Sequence, residues 1–92
     1  MPDLQSNHLA RIAFALGHPR RVALFTLLRN KPLAGHSLAQ LELQSGLARG
    51  ALIHHLRKME EVSLIRRQQK GARTEYRLDG SALAPLYAMI GA

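Results

Sequence analysis

The chain has 92 residues, the size of a single domain, and it contains no cysteine, which excludes disulfides, thiolate metal sites and cysteine nucleophiles. Thirteen Lys and Arg stand against six Asp and Glu, and the resulting net charge of +7 favours a polyanionic partner for so small a domain. The apolar runs are far shorter than the roughly 20 residues that cross a bilayer, and the first residues do not have the pattern of a secretory signal. We therefore expect a cytoplasmic protein that does not enter the membrane.

Two helices are predicted in the first third of the chain. The first carries apolar residues at helical spacing, namely Leu9, Ile12, Ala13 and Leu16. Gly17 favours its end, and Pro19 suits the first position of a second helix that continues to Arg29. We expect the second helix to bury one apolar face, made of Val22, Phe25 and Leu28 or their neighbours.

Two further helices are predicted on either side of Gly46. Ser37 is a suitable N-cap for a short helix that reaches Leu43, with Leu38 and Leu41 directed inward, and Gly46 ends it. A tight turn then leads into a helix over Ala48–Glu61. Its predicted inner face is a set of apolar residues spaced by four and three, namely Leu52, Leu56 and Met59.

The periodicity then changes to two, which predicts strands over Leu64–Gln69 and Arg73–Leu78 around a turn at residues 70–72. On the second strand alternate residues share a face, so we expect one face to point inward, with Thr74, Tyr76 and Leu78. The opposite face carries the charged residues Arg73, Glu75 and Arg77. The last segment, Ser81–Ile90, is predicted to be an apolar helix. The fold class is therefore mainly α with a small β-hairpin: four helices, the hairpin and a fifth helix.

In this arrangement the sequence resembles the ArsR-like winged helix–turn–helix transcriptional regulators. The resemblance begins at LGHPRRVALFTLL (16–28) and continues through residues 37–78. Within that stretch GL (46–47), HHLRKMEE (54–61), LIRR (64–67) and KGARTEYRL (70–78) follow the family's order and spacing. The resemblance implies a single winged helix–turn–helix domain over 1–92, with the helix–turn–helix at 37–61, a wing at 64–78, and dimerisation helices at about 3–16 and 81–91.

The implied recognition helix, 48–61, would lie in the major groove of double-stranded DNA, which is wide enough to admit an α-helix. Its first residues would reach base edges: Arg49, Gly50, Ala51, Ile53 and His54. Arg57 and Lys58 lie one turn later, where phosphate contact is expected. The wing would contact the DNA backbone or minor groove through Arg66, Arg67, Lys70, Gly71 and Arg73. Residues 49–77 hold eight Lys and Arg against three Glu, so this stretch carries +5 of the net +7.

These charged residues also have a simpler interpretation as solvated surface, and two residues nearby are predicted to be structural. His55 adjoins Leu56 on the inner side of its helix, and we expect it to be packed or hydrogen-bonded. Tyr76 is expected in the core. Since neighbouring residues on a helix point about 100° apart, we do not expect His54 and His55 to bind one metal ion together.

A homodimer is predicted from size and from the first and last helices, which carry more apolar surface than one small core needs. The predicted interface residues are Leu9, Ile12, Leu83, Leu86, Tyr87 and Ile90. The alternative is that the last helix covers only its own domain. A symmetric dimer would require a pseudo-palindromic operator whose half-sites lie about one helical turn apart.

The sequence differs in two respects from the family that it resembles. Positions that hold a cysteine pair in many relatives are Ser37 and Ala39, and no histidine follows His55, so we expect neither a metal nor another cofactor. The start of the recognition helix is also apolar, with Ala48, Ala51 and Ile53, of which the last two can contact thymine methyl groups but cannot hydrogen-bond to a base. Direct readout would then depend on Arg49 and His54.

The leading hypothesis is a homodimeric, sequence-specific DNA-binding transcriptional regulator that acts as a repressor. A low-specificity architectural DNA-binding protein is one alternative, which the apolar recognition helix favours. A winged-helix module that binds another protein is a second alternative. We expect no enzyme, because the sequence has no catalytic carboxylate pair, no phosphate-binding glycine loop and no nucleophile motif.

Overall fold

Helices form in the computed structural model at the places that their sequence signals indicate. The structure describes residues 4–30, 35–84 and 87–88. In chain order the elements are α1 (Leu4–Leu16), α2 (Pro19–Asn30), β1 (His36–Ser37), α3 (Leu38–Ser45), α4 (Arg49–Glu61), β2 (Ile65–Lys70), β3 (Arg73–Leu78) and a 3-10 helix over Gly80–Leu83. Pro19 begins α2 as predicted, since its fixed φ suits the first helical position.

The connection from α3 to α4 is built from local hydrogen bonds. The Ser37 hydroxyl accepts a hydrogen bond from the backbone N–H of Gln40, and the Gln40 side chain accepts one from the backbone N–H of Ser37, which confirms Ser37 as the N-cap. Gly46 has φ +71°, the left-handed conformation that suits glycine, and its N–H donates to the Glu42 carbonyl. This cap ends α3, two residues later than predicted, and redirects the chain into α4.

The wing contains a third strand that the sequence did not predict. β2 and β3 form the expected antiparallel hairpin, with Lys70 opposite Arg73 and Gly71 at φ +61° in the turn. β1 pairs with the other edge of β3, so the strand order is β1-β3-β2. Two residues are too few to show an alternating pattern, and β1 becomes a strand only because β3 lies beside it.

One apolar core joins the helices to the base of the wing. The predicted inner face of α4 is confirmed, because Leu52, Leu56 and Met59 are fully buried. On α2 the buried residues are Leu24 and Leu28, whereas Val22 is exposed. The buried apolar residues of the other elements are Ile12, Ala15, Leu41, Val62, Leu64, Ile65, Tyr76 and Ala82.

The burial of Glu75 corrects the predicted faces of β3. Tyr76 is buried as expected, but Glu75, assigned to the outer face, is only 6% exposed. Its backbone lies opposite Ser37 of β1, and Gly35 approaches its side chain so closely that a Cβ on Gly35 would meet the Glu75 Cβ at 2.9 Å. β1, which the alternating pattern of residues did not predict, therefore covers Glu75.

The C-terminal segment begins differently from the predicted α-helix over Ser81–Ile90. Its first turn is the 3-10 helix, capped by Asp79, whose side chain accepts a hydrogen bond from the Ser81 backbone N–H at 3.2 Å. Ala84, Tyr87 and Ala88 have helical backbone. Leu86 and Ile90, two predicted interface residues, lie outside the described residues.

Gly35→Ala is expected to destabilise the protein by about 1–3 kcal/mol, the usual cost of forcing extra atoms into a packed site. The added methyl group would collide with the Glu75 side chain, which has no free space to move into because it is buried. Urea unfolding measures this change. Gly50→Ala is the matched control: its Cβ meets nothing within 4 Å, so it should be neutral or stabilising by up to about 1 kcal/mol. Equal stability of the two variants would contradict the packing at Gly35.

Candidate DNA-binding surface

The outer side of α4 carries the residues predicted to contact DNA. Because Leu52, Leu56 and Met59 lie on the buried face of α4, the residues on the opposite side of the helix point away from the core. Arg49, Gly50, His54 and Arg57 are exposed, while Ala51, Ile53 and Lys58 are partly exposed. All seven are therefore accessible on one helix, and their contact with DNA stays a prediction.

The N-terminus of α4 has no side-chain cap. Ala48 has the extended backbone of an N-cap residue, but its methyl group cannot accept a hydrogen bond from the first turn. Its carbonyl still accepts the first helical hydrogen bond, from the Leu52 N–H at 2.9 Å. Backbone N–H groups of the first turn are thus left for water or for an anion such as a DNA phosphate.

The basic residues of the wing lie on both faces of the hairpin. Residues opposite each other in the strand register share a face, so Arg66 with Arg77 and Lys70 with Arg73 lie on one side. Arg67, opposite Tyr76, lies on the other. Every residue of the predicted wing set is exposed: Arg66, Arg67, Lys70, Gly71 and Arg73. One flat surface can therefore contact only part of this set at a time.

Ion pairs hold nearly all of the predicted DNA-contacting cations, a feature that the sequence analysis missed. On α4 and β2 the N···O distances are 2.7 Å for Arg49–Glu42, 3.7 Å for Lys58–Glu61, 3.5 Å for Arg67–Glu60 and 2.8 Å for Arg66–Asp79. Glu75 pairs with both Lys70 and Arg73. Among the described residues, Arg57 is the predicted contact cation without an ion pair. Most of these pairs join different elements, which sequence spacing does not reveal.

Two acidic residues have lowered pKa values because of these contacts. The Arg73 hydrogen bond, with Lys70 nearby, lowers the pKa of Glu75 despite its burial. The Ser81 hydroxyl, at 2.6 Å, and Arg66 lower the pKa of Asp79. Both carboxylates are therefore charged at neutral pH, and they partly neutralise the wing.

His55 is a packed structural residue, as predicted. It is 5% exposed, and its ring centroid lies 4.6 Å from that of His18 and 5.3 Å from that of His54. Its Nδ1 atom is buried, and no hydrogen-bond partner for it occurs in the described part of the chain. Burial lowers the pKa of His55, with further lowering from His18 and Arg21, so the neutral ring is favoured.

The predicted dimer residues differ in accessibility. Ile12 is 2% exposed within a single chain, so it belongs to the core of that chain and offers no surface to a partner. Leu9 and Leu83 are partly exposed, and Tyr87 is 53% exposed. Phe14, which was not among the residues predicted from the sequence, is 81% exposed, so α1 presents a large apolar side chain to solvent.

The described residues contain neither a metal-binding cluster nor a membrane-spanning helix. Within residues 4–30, 35–84 and 87–88, no three His, Cys, Asp or Glu side chains are grouped so that they could hold a metal ion. Over these same residues, every helix is too short or too polar to cross a membrane.

The helix–turn–helix of α3 and α4 and the hairpin of β2 and β3 together define the fold as a winged helix–turn–helix. No model of a protein family matches the sequence, and no curated protein matches it either. Solved structures do match. An ArsR-like transcriptional regulator from Rhodococcus is 26% identical, with a TM-score of 0.77 over 92% of this chain and 80% of that one. The transcriptional repressor BigR from Xylella fastidiosa is 25% identical, with a TM-score of 0.73 over 96% and 91%.

A third match is the homodimeric winged helix–turn–helix DNA-binding domain of a possible ArsR-family regulator from Mycobacterium bovis. It is 22% identical, with a TM-score of 0.75 over 92% of this chain and 76% of that one. These likenesses confirm the predicted fold and the resemblance to ArsR-like regulators. The matched proteins are transcriptional regulators and not enzymes, in agreement with the sequence prediction.

His55→Phe is expected to flatten the pH dependence of stability. Because the folded-state pKa of His55 is lowered, the unfolded chain binds the proton more readily, so stability is full above the ordinary value of 6.5 and declines as the pH falls below it. The free energy of unfolding, measured by urea titration from pH 7.5 to 5.5, should decrease more in the wild type than in the variant. His8→Phe, which removes a partly exposed histidine of α1, is the control. An unchanged slope in His55→Phe would contradict this account.

Proposed function

We propose that this protein is a homodimeric, sequence-specific DNA-binding transcriptional regulator that represses by occluding a promoter. The observation that carries the proposal is the accessible basic side of α4 beside a basic hairpin. Together these elements offer a helix that fits the major groove and cations that fit the backbone on either side. The solved structures that the chain resembles, among them a repressor, support the same function.

The proposed DNA contacts fall into two groups. The first turns of α4 contact base edges. Arg49 and His54 can form hydrogen bonds there, and Ala51 and Ile53 can contact thymine methyl groups. Phosphates are contacted by Arg57, Lys58 and the exposed cations of the wing, of which Arg66, Lys70 and Arg73 lie on one face of the hairpin and Arg67 on the other. Phosphate contacts contribute affinity for any sequence, so specificity depends on the first group.

The dimer in this proposal uses α1 and the C-terminal segment. Phe14 and Tyr87 are large apolar side chains exposed on a chain too small to leave such surface unpaired without cost. Phe14 also borders a groove between α1 and α4 with a volume of about 290 Å³. The Mycobacterium bovis domain is described as homodimeric, which supports the same assembly here. A two-fold dimer would bind a pseudo-palindromic operator.

Selection of bound sequences from a random duplex pool tests the function. A regulator should enrich two inverted half-sites about one helical turn apart, and affinity for the selected duplex should exceed that for random duplex by roughly 10³-fold or more. Binding with a steep salt dependence but no enriched motif would favour the architectural alternative. No DNA binding at low salt would favour a protein-interaction module.

Arg57→Ala is expected to weaken binding to selected and random duplexes by a similar factor. Arg57 is exposed and has no ion pair among the described residues, so it can contact a phosphate without first breaking an ion pair with a carboxylate. Its loss should also reduce the slope of log affinity against log salt by about 1. Arg29→Ala removes an exposed arginine at the end of α2 and should leave the slope unchanged. If both variants reduced the affinity and the salt slope equally, the weaker binding of Arg57→Ala would be due to net charge alone.

Phe14→Glu is expected to yield monomers. A charge at this exposed apolar position would have to be buried against the partner subunit, which is costly without a paired cation. Light scattering coupled to size exclusion measures the mass in solution. Leu43→Glu changes a side chain of similar exposure on α3 and should remain dimeric. A dimer that survives Phe14→Glu would contradict an interface through α1.

A further inference from the structure

Arg49 occupies an electrostatically unfavourable position. It is the first residue of α4, where the helix dipole places partial positive charge, and the first turn has no acidic residue to compensate it. Ala48 adds no cap. A cation at this end of a helix needs a negative partner, and the structure supplies one from outside the helix.

That partner is Glu42 of α3. The Glu42 Oε1 atom accepts a hydrogen bond from the Arg49 Nε at 2.7 Å, the shortest of the α4 and β2 ion-pair distances reported above. The Glu42 backbone is itself fixed, because its carbonyl accepts the hydrogen bond from the Gly46 N–H that ends α3. The carboxylate is thus attached to the turn of the helix–turn–helix and reaches across it to Arg49.

The geometry of this hydrogen bond leaves one side of the guanidinium available. The planar fork of arginine has donors on two edges, and Glu42 uses Nε on one of them. The two terminal Nη groups form the other edge, and the Arg49 side chain is 63% exposed. Such a pair of donors matches the O6 and N7 acceptors of guanine in the major groove. The neighbours Gly50 and Ala51 are small and leave room for close approach.

We propose that Glu42 is a positioning residue that holds Arg49 to read one guanine in each half-site. The inference rests on the proposed function, and it names the base that the apolar start of α4 recognises. Lys58–Glu61 and Arg67–Glu60 are longer pairs, at 3.7 and 3.5 Å, and their cations lie where phosphate contact is expected. The Arg66–Asp79 contact is also short, at 2.8 Å, but Arg66 lies on the wing, so on α4 the short, directed contact is the one made by Arg49 at the helix start.

A charge-matched set of variants tests this role. Glu42→Ala and Glu60→Ala each remove one negative charge, so both should bind random duplex somewhat more tightly. The probes are the selected duplex, the same duplex with the key guanine pair replaced by an adenine pair, and one with 7-deazaguanine, which lacks the N7 acceptor. The wild type and Glu60→Ala should bind both altered duplexes roughly tenfold to hundredfold more weakly than the selected one. Glu42→Ala should discriminate less than threefold.

Glu42→Gln separates position from charge. It has the same net charge as Glu42→Ala but retains an oxygen that can accept from Nε, so it should recover part of the discrimination. The NMR signal of the Arg49 Nε–H group provides a second readout in free protein: it should move in both Glu42 variants and remain unchanged in Glu60→Ala. Melting temperatures establish that each variant is folded.

Four results would overturn the proposal. Full discrimination by Glu42→Ala would show that Arg49 does not need the carboxylate, or does not read guanine. Tighter binding by Glu42→Ala to all three duplexes alike would show that Glu42 merely competes with DNA. A selected motif that is insensitive to guanine replacement would reject the inference while leaving the regulator function intact. Failure of the wild type to select any motif would reject both.

Discussion

The burial of one face of α4 is the constraint on which the rest of the structure depends. Leu52, Leu56 and Met59 are fully enclosed by the other helices and the base of the wing, so the opposite face has to point to solvent. The same burial fixes the start of α4 against α3 through the Gly46 turn. The helix proposed to enter DNA therefore has its angle and rotation set by the core, and not by its exposed residues.

Ion pairs between secondary-structure elements are the second feature that shapes the proposed DNA-binding surface. Each of the five acidic residues in the described part of the chain forms an ion pair, and the partners are cations of α4 or the wing. Exposed pairs contribute little to stability, so their main consequence is geometric and electrostatic. They direct long side chains and reduce the attraction that a net charge of +7 would otherwise exert on any polyanion. Among the described residues, Arg57 is the predicted DNA-contacting cation without an ion pair, and it contrasts with Arg49, which Glu42 holds.

Much of the fold could be predicted from the sequence because its signals are local. Ser37, Gly46 and Pro19 act within one turn of their own position, and helical periodicity identified the buried face of α4. The predictions failed where distant segments meet. Two residues become β1 only beside β3, Glu75 is buried only because β1 and Gly35 cover it, and Ile12 belongs to the core of its own chain. Likewise, the Glu42–Arg49 contact spans seven residues and a turn, so no helical or strand period indicates it.

The sequence by itself determined the class of this protein: a small, basic, cysteine-free winged helix–turn–helix whose recognition helix begins with an unusually apolar turn. Caps and periodicity predicted the order of helices and strands, since each depends on residues near one another in the chain, and the resemblance to ArsR-like regulators implied the winged helix–turn–helix. Only the tertiary structure decided which cations are free and which are held, and which apolar side chains remain exposed, as Phe14 does. Those properties depend on distances of a few ångströms between separate elements, and such distances exist only after the core has packed.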